Sequence, residues 1–379
     1  MDFNLSQEQS QFADAMRRWV EKDYSFEQRK HIISSSSGIS DAAWVALTEL
    51  GAMALPIPEE QGGFNGTAVD MLVVMQELGR GLVIEPYFAT MMAAEFLKLA
   101  GNNETLLEHV ATGELKLACA LAEKQSRHDL FDIAMTARKN ADGYLLNGVK
   151  TVVLHGAQAG KLIVSARSNG AQRDTDGISL FIIDIHADGV SLRDYRTIDG
   201  FRAADISFAQ VQVSAANLLG EEGKGWEILD AATDYGICLI CAEAIGVMEA
   251  IFAATLEYMK TRQQFGVPIG KFQALQHRMA EMFMELEQAR SMATLAAVKV
   301  SSSDIEERRR TVSAAKVRIG QAARFVGQHA VQLHGGMGVT NELPAAHMFK
   351  RLTMIEHILG DIDHHLARFV AQPGFKSAA

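Results

Sequence analysis

Cysteine is scarce in this sequence, with only three in 379 residues, so no disulfide framework can be built. Such low usage is typical of a reducing compartment, and we expect a cytoplasmic protein. Basic residues are also in the minority, because 36 lysines and arginines face 46 aspartates and glutamates and leave a net charge of -10. A nucleic-acid-binding protein needs a basic surface to displace phosphate counterions, so this composition argues against such a partner.

Signals for export or membrane insertion are missing as well. The stretch MDFNLSQEQS has neither a basic segment nor an apolar run, so we expect no secretory signal. The most apolar region, GICLICAEAIGVMEAIFAATLEYM, is interrupted by Glu243, Glu249 and Glu257. No bilayer-spanning segment and no membrane partner are therefore predicted.

The glycine signatures of the common nucleotide-binding folds do not occur. Neither G-x-G-x-x-G nor G-x-x-x-x-G-K-[ST] is present, and Gly335, Gly336 and Gly338 follow a helical pattern instead of a strand. Glycines let main-chain N–H groups approach an anion closely, so HGGMG is compatible with a phosphate-binding loop. It is equally compatible with a turn that ends a helix.

A C-x-x-C is formed by Cys238 and Cys241, but a second cysteine pair and an H-x-x-x-H partner are both missing. The two cysteines continue an apolar helical pattern with Ile245, Met248 and Phe252. We therefore predict a buried helix face here and no metal site.

The chain is too long for one compact core, and its 48% apolar residues supply enough material for two or three. Helical spacing in FADAMRRWVEK and DAAWVALTELGAM predicts a helical domain over residues 1–115, with Ser40 as a helix N-cap. Short apolar segments with turn residues between them predict a β domain over 116–222. These segments are KLACALAE, GYLLNGVKTVVL, KLIVSAR, ISLFIID and DISFAQVQV. Helical spacing returns over 223–379.

Five stretches, in this order, resemble motifs of the acyl-CoA dehydrogenase family over almost the whole chain. They are LGAMALPIPEEQGGFNG with MQELGRGL, DGYLLNGVK, VSAANLLGEEGKGW, RQQFGVPIGKFQ and QLHGGMG. Within the family, QSRHDL, VVLHG, KLIVSAR and KRLTMIEH are similar to the small-subunit branch of heteromeric, pimeloyl-CoA-type enzymes. The resemblance implies a mainly α fold with a central β domain. An N-terminal helical domain, a β-sheet middle domain and a C-terminal four-helix bundle would follow one another.

The resemblance also implies a role for the two C-terminal motifs, which in relatives reach the FAD of a neighbouring chain. Arg262 would pair with the pyrophosphate, since a guanidinium makes bidentate charge-assisted bonds, and the alternative is a surface salt bridge. Phe265 would pack on the adenosine part. The remaining implied contacts are polar or main-chain groups from Gln264, Gln273, Gln332, Gly335 and Gly336.

The chemistry implied by the resemblance is the α,β-desaturation of an acyl-CoA thioester. A carboxylate takes the α-proton, hydride passes from the β-carbon to the flavin, and an electron-transferring flavoprotein accepts the electrons. The acyl group is not identified, although likeness to the pimeloyl type favours a dicarboxylic or bulky chain.

The expected glutamate base is missing at both positions that relatives use. Counting from the motifs places Leu359 at one and Gly236 at the other, and neither accepts a proton. Glu356 is expected to share a helix face with Leu359, whereas Asp361 points elsewhere. Both acids are interpreted as a solvated or salt-bridged helix end, together with Asp363, His364 and His365. The catalytic residue is therefore unknown.

Contacts to the chain's own flavin are also eroded. Ala122 and His128 replace a threonine and a serine, Val152 replaces an aromatic ring, and Leu154 replaces a hydroxyl. Asp361 and Asp363 stand where a threonine and a glutamine are usual, and carboxylates there would repel a dinucleotide.

This asymmetry favours a base-lacking subunit of an α2β2 complex whose partner is a second family member. One alternative is a self-sufficient homo-oligomer that uses Glu356 or Asp361 as a displaced base. Another is a non-catalytic scaffold that has lost FAD. No residue argues for a flavin-dependent monooxygenase on the same fold.

Overall fold

A computed structural model of the chain describes residues 5–101 and 103–373. Its first six helices are α1 (Gln7–Asp23), α2 (Phe26–Ser34), α3 (Asp41–Glu49), α4 (Ala68–Arg80), α5 (Tyr87–Ala100) and α6 (Glu104–Ala111). The later helices are α7 (Trp226–Thr261), α8 (Gln273–Lys299), α9 (Ile305–His334), α10 (Pro344–His357) and α11 (Ile362–Val370). The order of helices, strands and helices confirms the predicted fold class.

The helix starts follow from local chemistry. Ser6 and Gln9 form a reciprocal capping box at the start of α1, which satisfies two backbone donors that the helix leaves free. The Ser40 hydroxyl accepts from the Ala43 N–H, so the predicted N-cap of α3 is confirmed.

The middle of the chain forms an eight-stranded mixed sheet. Its strands are β1 (Leu117–Ala120), β2 (Thr136–Asn140), β3 (Gly143–Leu154), β4 (Lys161–Arg167), β5 (Ile178–Asp184), β6 (Val190–Arg196), β7 (Arg202–Val213) and β8 (Leu218–Leu219). The order is β6-β7-β3-β2-β4-β5-β8, and β1 pairs with β4 in parallel. A register shift between Lys150 and Val153 marks a bulge where β3 pairs with β7.

Apart from the two-residue β8, the strands β2 and β6 were not among the predicted segments. Their sequences, TARKN and VSLRDYR, are largely polar and mostly exposed, and β6 lies at an edge of the sheet. An exposed strand keeps its backbone pairing without an apolar face, so hydrophobic spacing carries no signal for it.

Helix α7 corrects the expectation that no segment is long and apolar enough to cross a membrane. Of the described helices, it alone passes that test by length and composition, with a mean hydropathy of 2.1 over its best window. However, 72% of that window is buried inside the protein. A buried core helix passes the same test, and that is what α7 is here.

The contacts divide the chain into two compact units. The first unit comprises residues 5–30, 68–83 and 237–373, and it contains α8 to α11. The second unit comprises the described residues of 31–67 and 84–236, and it contains the sheet. In the first unit, glycines let α4 and α7 approach closely, because a Cβ on Gly246 would lie 1.8 Å from the Gln76 carbonyl oxygen.

Candidate functional site

The motif that begins at Arg262 folds as a small exposed hairpin. Strands β9 (Gln263–Gln264) and β10 (Val267–Pro268) pair in antiparallel fashion. Between them, Phe265 and Gly266 have φ of 54° and 76°, the two left-handed conformations of a type I′ turn. The turn holds the Phe265 side chain 91% exposed at its tip.

Arg262 connects this hairpin to the end of α7. Its N–H donates to the Tyr258 carbonyl and its carbonyl accepts from Ile269, both at 2.8 Å. The Arg262 residue is exposed, and within residues 5–101 and 103–373 its guanidinium forms no ion pair. A surface salt bridge therefore does not explain an arginine at this position.

The second motif forms the turn that follows α9. Gly335 is left-handed, with φ of 61°, and its N–H donates to the Gln332 carbonyl. A Cβ at Gly338 would lie 2.6 Å from the Val331 carbonyl oxygen, so packing demands glycine there. Gly336 has neither a left-handed φ nor any neighbour within 4 Å of an added Cβ. HGGMG does end a helix, yet nothing in the described fold requires glycine at 336.

The two motifs lie next to each other in the first unit. The Tyr258 ring, one turn before Arg262, stacks on the His334 ring with centroids 4.6 Å apart and planes at 28°. His334 is buried, and its Nδ1 donates to the Ala330 carbonyl at 2.8 Å. All the residues that are predicted to contact the dinucleotide of a neighbouring chain are solvent-exposed: Arg262, Gln264, Phe265, Gln273, Gln332, Gly335 and Gly336.

Leu359, at the position predicted for the base, lies in a turn and not on a helix. Helix α10 ends at His357, Leu359 is left-handed with φ of 57°, and Gly360 follows with φ of 112°. The expectation that Glu356 and Leu359 share a helix face is therefore wrong, because the helix stops between them. A left-handed leucine is strained, and such residues persist only where their surroundings fix them.

Two buried bases provide that constraint. The Lys316 Nζ donates to the carbonyls of Ile355, Glu356 and Ile358 at 2.5, 3.2 and 2.9 Å. The His365 Nε2 donates to the Leu359 carbonyl at 2.9 Å. Burial lowers the pKa of Lys316 to about 8, and burial followed by the charge of Lys316 lowers that of His365 to about 2.

The neighbouring acids already have structural partners. Glu356 is buried and paired with Arg324, so it is salt-bridged, though neither solvated nor bonded to the histidines. The Asp361 carboxylate caps α11 by accepting from the His364 N–H at 2.8 Å. Gly236 lies within α7, where it offers no acidic group. The geometry therefore gives no support to a displaced base.

On the sheet, Val152 stands at the position where the resemblance predicts an aromatic ring beside the flavin. It is 52% exposed and left-handed, with φ of 53°, and its N–H donates to the Asp205 carboxylate at 3.2 Å. A β-branched residue rarely adopts this conformation, so the bulge and not the valine side chain sets the backbone here.

A buried cluster around Lys150, two residues earlier in β3, was not predicted from the sequence. Lys150 is fully buried, and its Nζ donates to the Glu123 carboxylate at 2.8 Å and to the Ser165 hydroxyl at 3.0 Å. Burial lowers the pKa of Lys150. Burial also acts to raise the pKa of Glu123, but the Lys150 charge and hydrogen bonds outweigh it and leave that pKa below its ordinary value. A lysine inside the apolar strand GYLLNGVKTVVL was the available signal.

The C-x-x-C lies within a helix. Cys238 and Cys241 are both buried in α7, as predicted, and burial raises the pKa of Cys241 to about 11. Across the described part of the chain, no three His, Cys, Asp or Glu residues come together in a group that could hold a metal ion.

Models of the three acyl-CoA dehydrogenase domains match almost the whole chain. The N-terminal domain matches residues 6–114, the middle domain 118–213 and the C-terminal domain 223–371.

Individual proteins agree with these matches. The mitochondrial short-chain specific acyl-CoA dehydrogenase of Bos taurus is 30% identical over 318 residues, 81% of this chain and 76% of its own. The caffeyl-CoA reductase-Etf complex subunit CarC of Acetobacterium woodii is 29% identical over 80% of this chain and 82% of its own. The FAD complex of PigA superposes with a TM-score of 0.90 at 25% identity, covering 99% of this chain and 100% of that one. The chain belongs to the acyl-CoA dehydrogenase family.

Proposed function

We propose that this chain is a subunit of a heteromeric acyl-CoA dehydrogenase that completes the FAD site of a partner chain. The partner is a second family member that supplies the carboxylate base and most of the flavin contacts. One observation carries the proposal. The turns that contain Arg262 and Gly336 are well defined and solvent-exposed. The turn at the base position is equally well defined, but it carries Leu359 instead of a carboxylate.

The residues of the first unit fit a dinucleotide that is held mainly by another chain. Arg262 is exposed without an ion pair among the described residues, so its charge is available to a pyrophosphate. Among the described residues, no atom lies within 4 Å of a Cβ added at Gly336, so a ligand has room to approach the main chain there. Phe265 offers an exposed ring for stacking on an adenine.

Within the complex, FAD supplies the hydride acceptor for α,β-desaturation of an acyl-CoA to a 2-enoyl-CoA. This chain contributes positive charge from Arg262 and polar contacts from Gln264, Gln273 and Gln332. Its own base position holds the apolar, half-buried Leu359, so it takes no proton from a substrate. An electron-transferring flavoprotein accepts the electrons, and a dicarboxylic or bulky acyl chain is the favoured substrate.

The test uses the complex that co-purifies with this chain from its native cells. We expect a second acyl-CoA dehydrogenase chain in equal amount and half as many flavins as chains, by mass spectrometry and visible absorbance. Arg262→Ala should lower the FAD content, because a charged partner of the pyrophosphate is worth about tenfold in affinity. Arg18→Ala, an exposed arginine on α1, is the matched control and should change nothing.

Two results would contradict the proposal in different ways. A homo-oligomer of this chain alone that holds one flavin per chain and reduces it with acyl-CoA would show a self-sufficient enzyme. A complex without flavin, indifferent to Arg262→Ala, would show a scaffold.

A further inference from the structure

The two dinucleotide turns of this fold are each preceded by an aromatic ring, and these two rings touch. Tyr258 lies in the last turn of α7, four residues before Arg262, and His334 is the last residue of α9. Their centroids are 4.6 Å apart and their planes are inclined by 28°, which is a stacked pair. The stack therefore joins the two helix ends from which the turns depart.

Main-chain hydrogen bonds connect Tyr258, and with it the stacked pair, to the hairpin. The Tyr258 carbonyl accepts from the Arg262 N–H, and the Arg262 carbonyl accepts from the Ile269 N–H, both at 2.8 Å. A Cβ added to Gly270 would lie 3.0 Å from the Met259 carbonyl oxygen, so the return of the hairpin sits against the last turn of α7. The hairpin thus has little freedom relative to Tyr258.

The same stack fixes the other turn from its helix side. The imidazole of His334 is buried, and its Nδ1–H is tied to the Ala330 carbonyl of its own helix at 2.8 Å. Gly335 and Gly336 follow directly, and an added Cβ at either meets nothing within 4 Å. No side chain of the described residues packs beside these two glycines, so the backbone on either side holds them: His334, and the bond from the Gly335 N–H to the Gln332 carbonyl.

We propose that Tyr258 and His334 are positioning residues that hold the Arg262 hairpin and the Gly336 turn in one fixed arrangement. A dinucleotide held by a neighbouring chain then meets both turns together. Fixing two exposed turns in advance spares the complex the cost of ordering them on binding. This inference rests on the proposed function and extends it to two residues that touch no ligand.

The experiment titrates FAD into the native complex after its flavin has been removed, with the fluorescence of FAD as the readout. Tyr258→Leu and His334→Leu remove one ring each, and we expect FAD affinity to fall about three- to tenfold, the range for a lost aromatic pair. Tyr258→Phe keeps both rings and should bind within about twofold of wild type. Circular dichroism and thermal unfolding of each variant check the fold.

A double variant separates positioning from general stability. Because part of the effect of Tyr258 passes through Arg262, Arg262→Ala combined with Tyr258→Leu should lose less FAD affinity than the two single losses added together. Fully additive losses would show that Tyr258 acts elsewhere, and the inference would fail. It would fail equally if Tyr258→Phe were as damaging as Tyr258→Leu, because the hydroxyl and not the ring would then matter.

The remaining outcomes distinguish the two proposals. Normal FAD affinity in both leucine variants, with weakened affinity in Arg262→Ala, overturns the positioning role and leaves the proposed function intact. Normal affinity in Arg262→Ala as well overturns both. If Tyr258→Leu does not fold, His334→Leu carries the same test from the other side of the stack.

Discussion

Leu359 shows how much a motif comparison can and cannot predict at the level of one residue. Counting along the chain predicts that Leu359 occupies the base position. The same counting gave no hint that its backbone is left-handed, because φ here is set by Lys316 and His365, which hydrogen-bond the turn. Lys316 lies about 40 residues away in sequence. No pattern in a single sequence reports such a contact.

The strain at Leu359 leads to a testable prediction about stability. Leu359→Gly and Leu359→Ala remove the same side chain, but only glycine is at ease at φ of 57°. We expect the glycine variant to be more stable than the alanine variant by about 1 kcal/mol, the cost of holding a non-glycine residue in the left-handed region. Thermal unfolding by calorimetry measures the difference, and equal midpoints would show that the turn is unstrained.

The turn after α9 contains two glycines, Gly336 and Gly338, that differ in how much space surrounds them. A Cβ at Gly338 would lie 2.6 Å from the Val331 carbonyl oxygen, whereas one at Gly336 meets nothing. We expect Gly338→Ala to destabilise the chain by about 1–3 kcal/mol through overpacking, and Gly336→Ala to change stability by less than about 0.5 kcal/mol.

In contrast to stability, FAD binding should be affected directly by Gly336→Ala. Under the proposed function, Gly336→Ala places a methyl group where the dinucleotide approaches the main chain, so the FAD content of the complex should fall although the fold is intact. Calorimetry and visible absorbance on the same samples test both halves. If Gly336→Ala kept its full flavin content, the turn would have no close contact with a ligand.

Packing at the start of α11 predicts a dependence of stability on pH. The pKa of buried His365 falls from 6.5 to about 2 on folding, so below about pH 6.5 the unfolded chain binds a proton that the folded chain refuses. The contribution of His365 to stability is therefore complete above pH 6.5 and decreases as the pH falls towards 2. His365→Gln keeps an amide donor for the Leu359 carbonyl but does not titrate.

The comparison of wild type with His365→Gln isolates this contribution. Urea unfolding at about pH 7.5 and about pH 5 should show a smaller loss of stability in the variant than in wild type. His357→Gln, an exposed histidine at the end of α10, serves as control and should follow wild type. A variant that loses as much stability as wild type would mean that His365 does not remain neutral on folding.

At the scale of the whole molecule, the succession of helical, β and helical regions followed from hydrophobic spacing alone. Apolar strands such as β4 and β5 were found because both of their faces are buried. The polar strands β2 and β6 were missed because their pairing depends on backbone bonds. The two stacked rings at Tyr258 and His334 were missed for a related reason, since they lie 76 residues apart and meet only through packing.

The hairpin tip has a consequence for how the cell makes this chain. Phe265 is 91% exposed at the tip of this turn, so its apolar ring can contact other proteins as soon as the chain has folded. Under the proposed function, Phe265 becomes buried only when the complex assembles. Chains in excess over their partner would therefore tend to aggregate and to be degraded by quality-control proteases. Synthesis of the two polypeptides in equal amounts, as from one transcript, would keep chains without a partner rare.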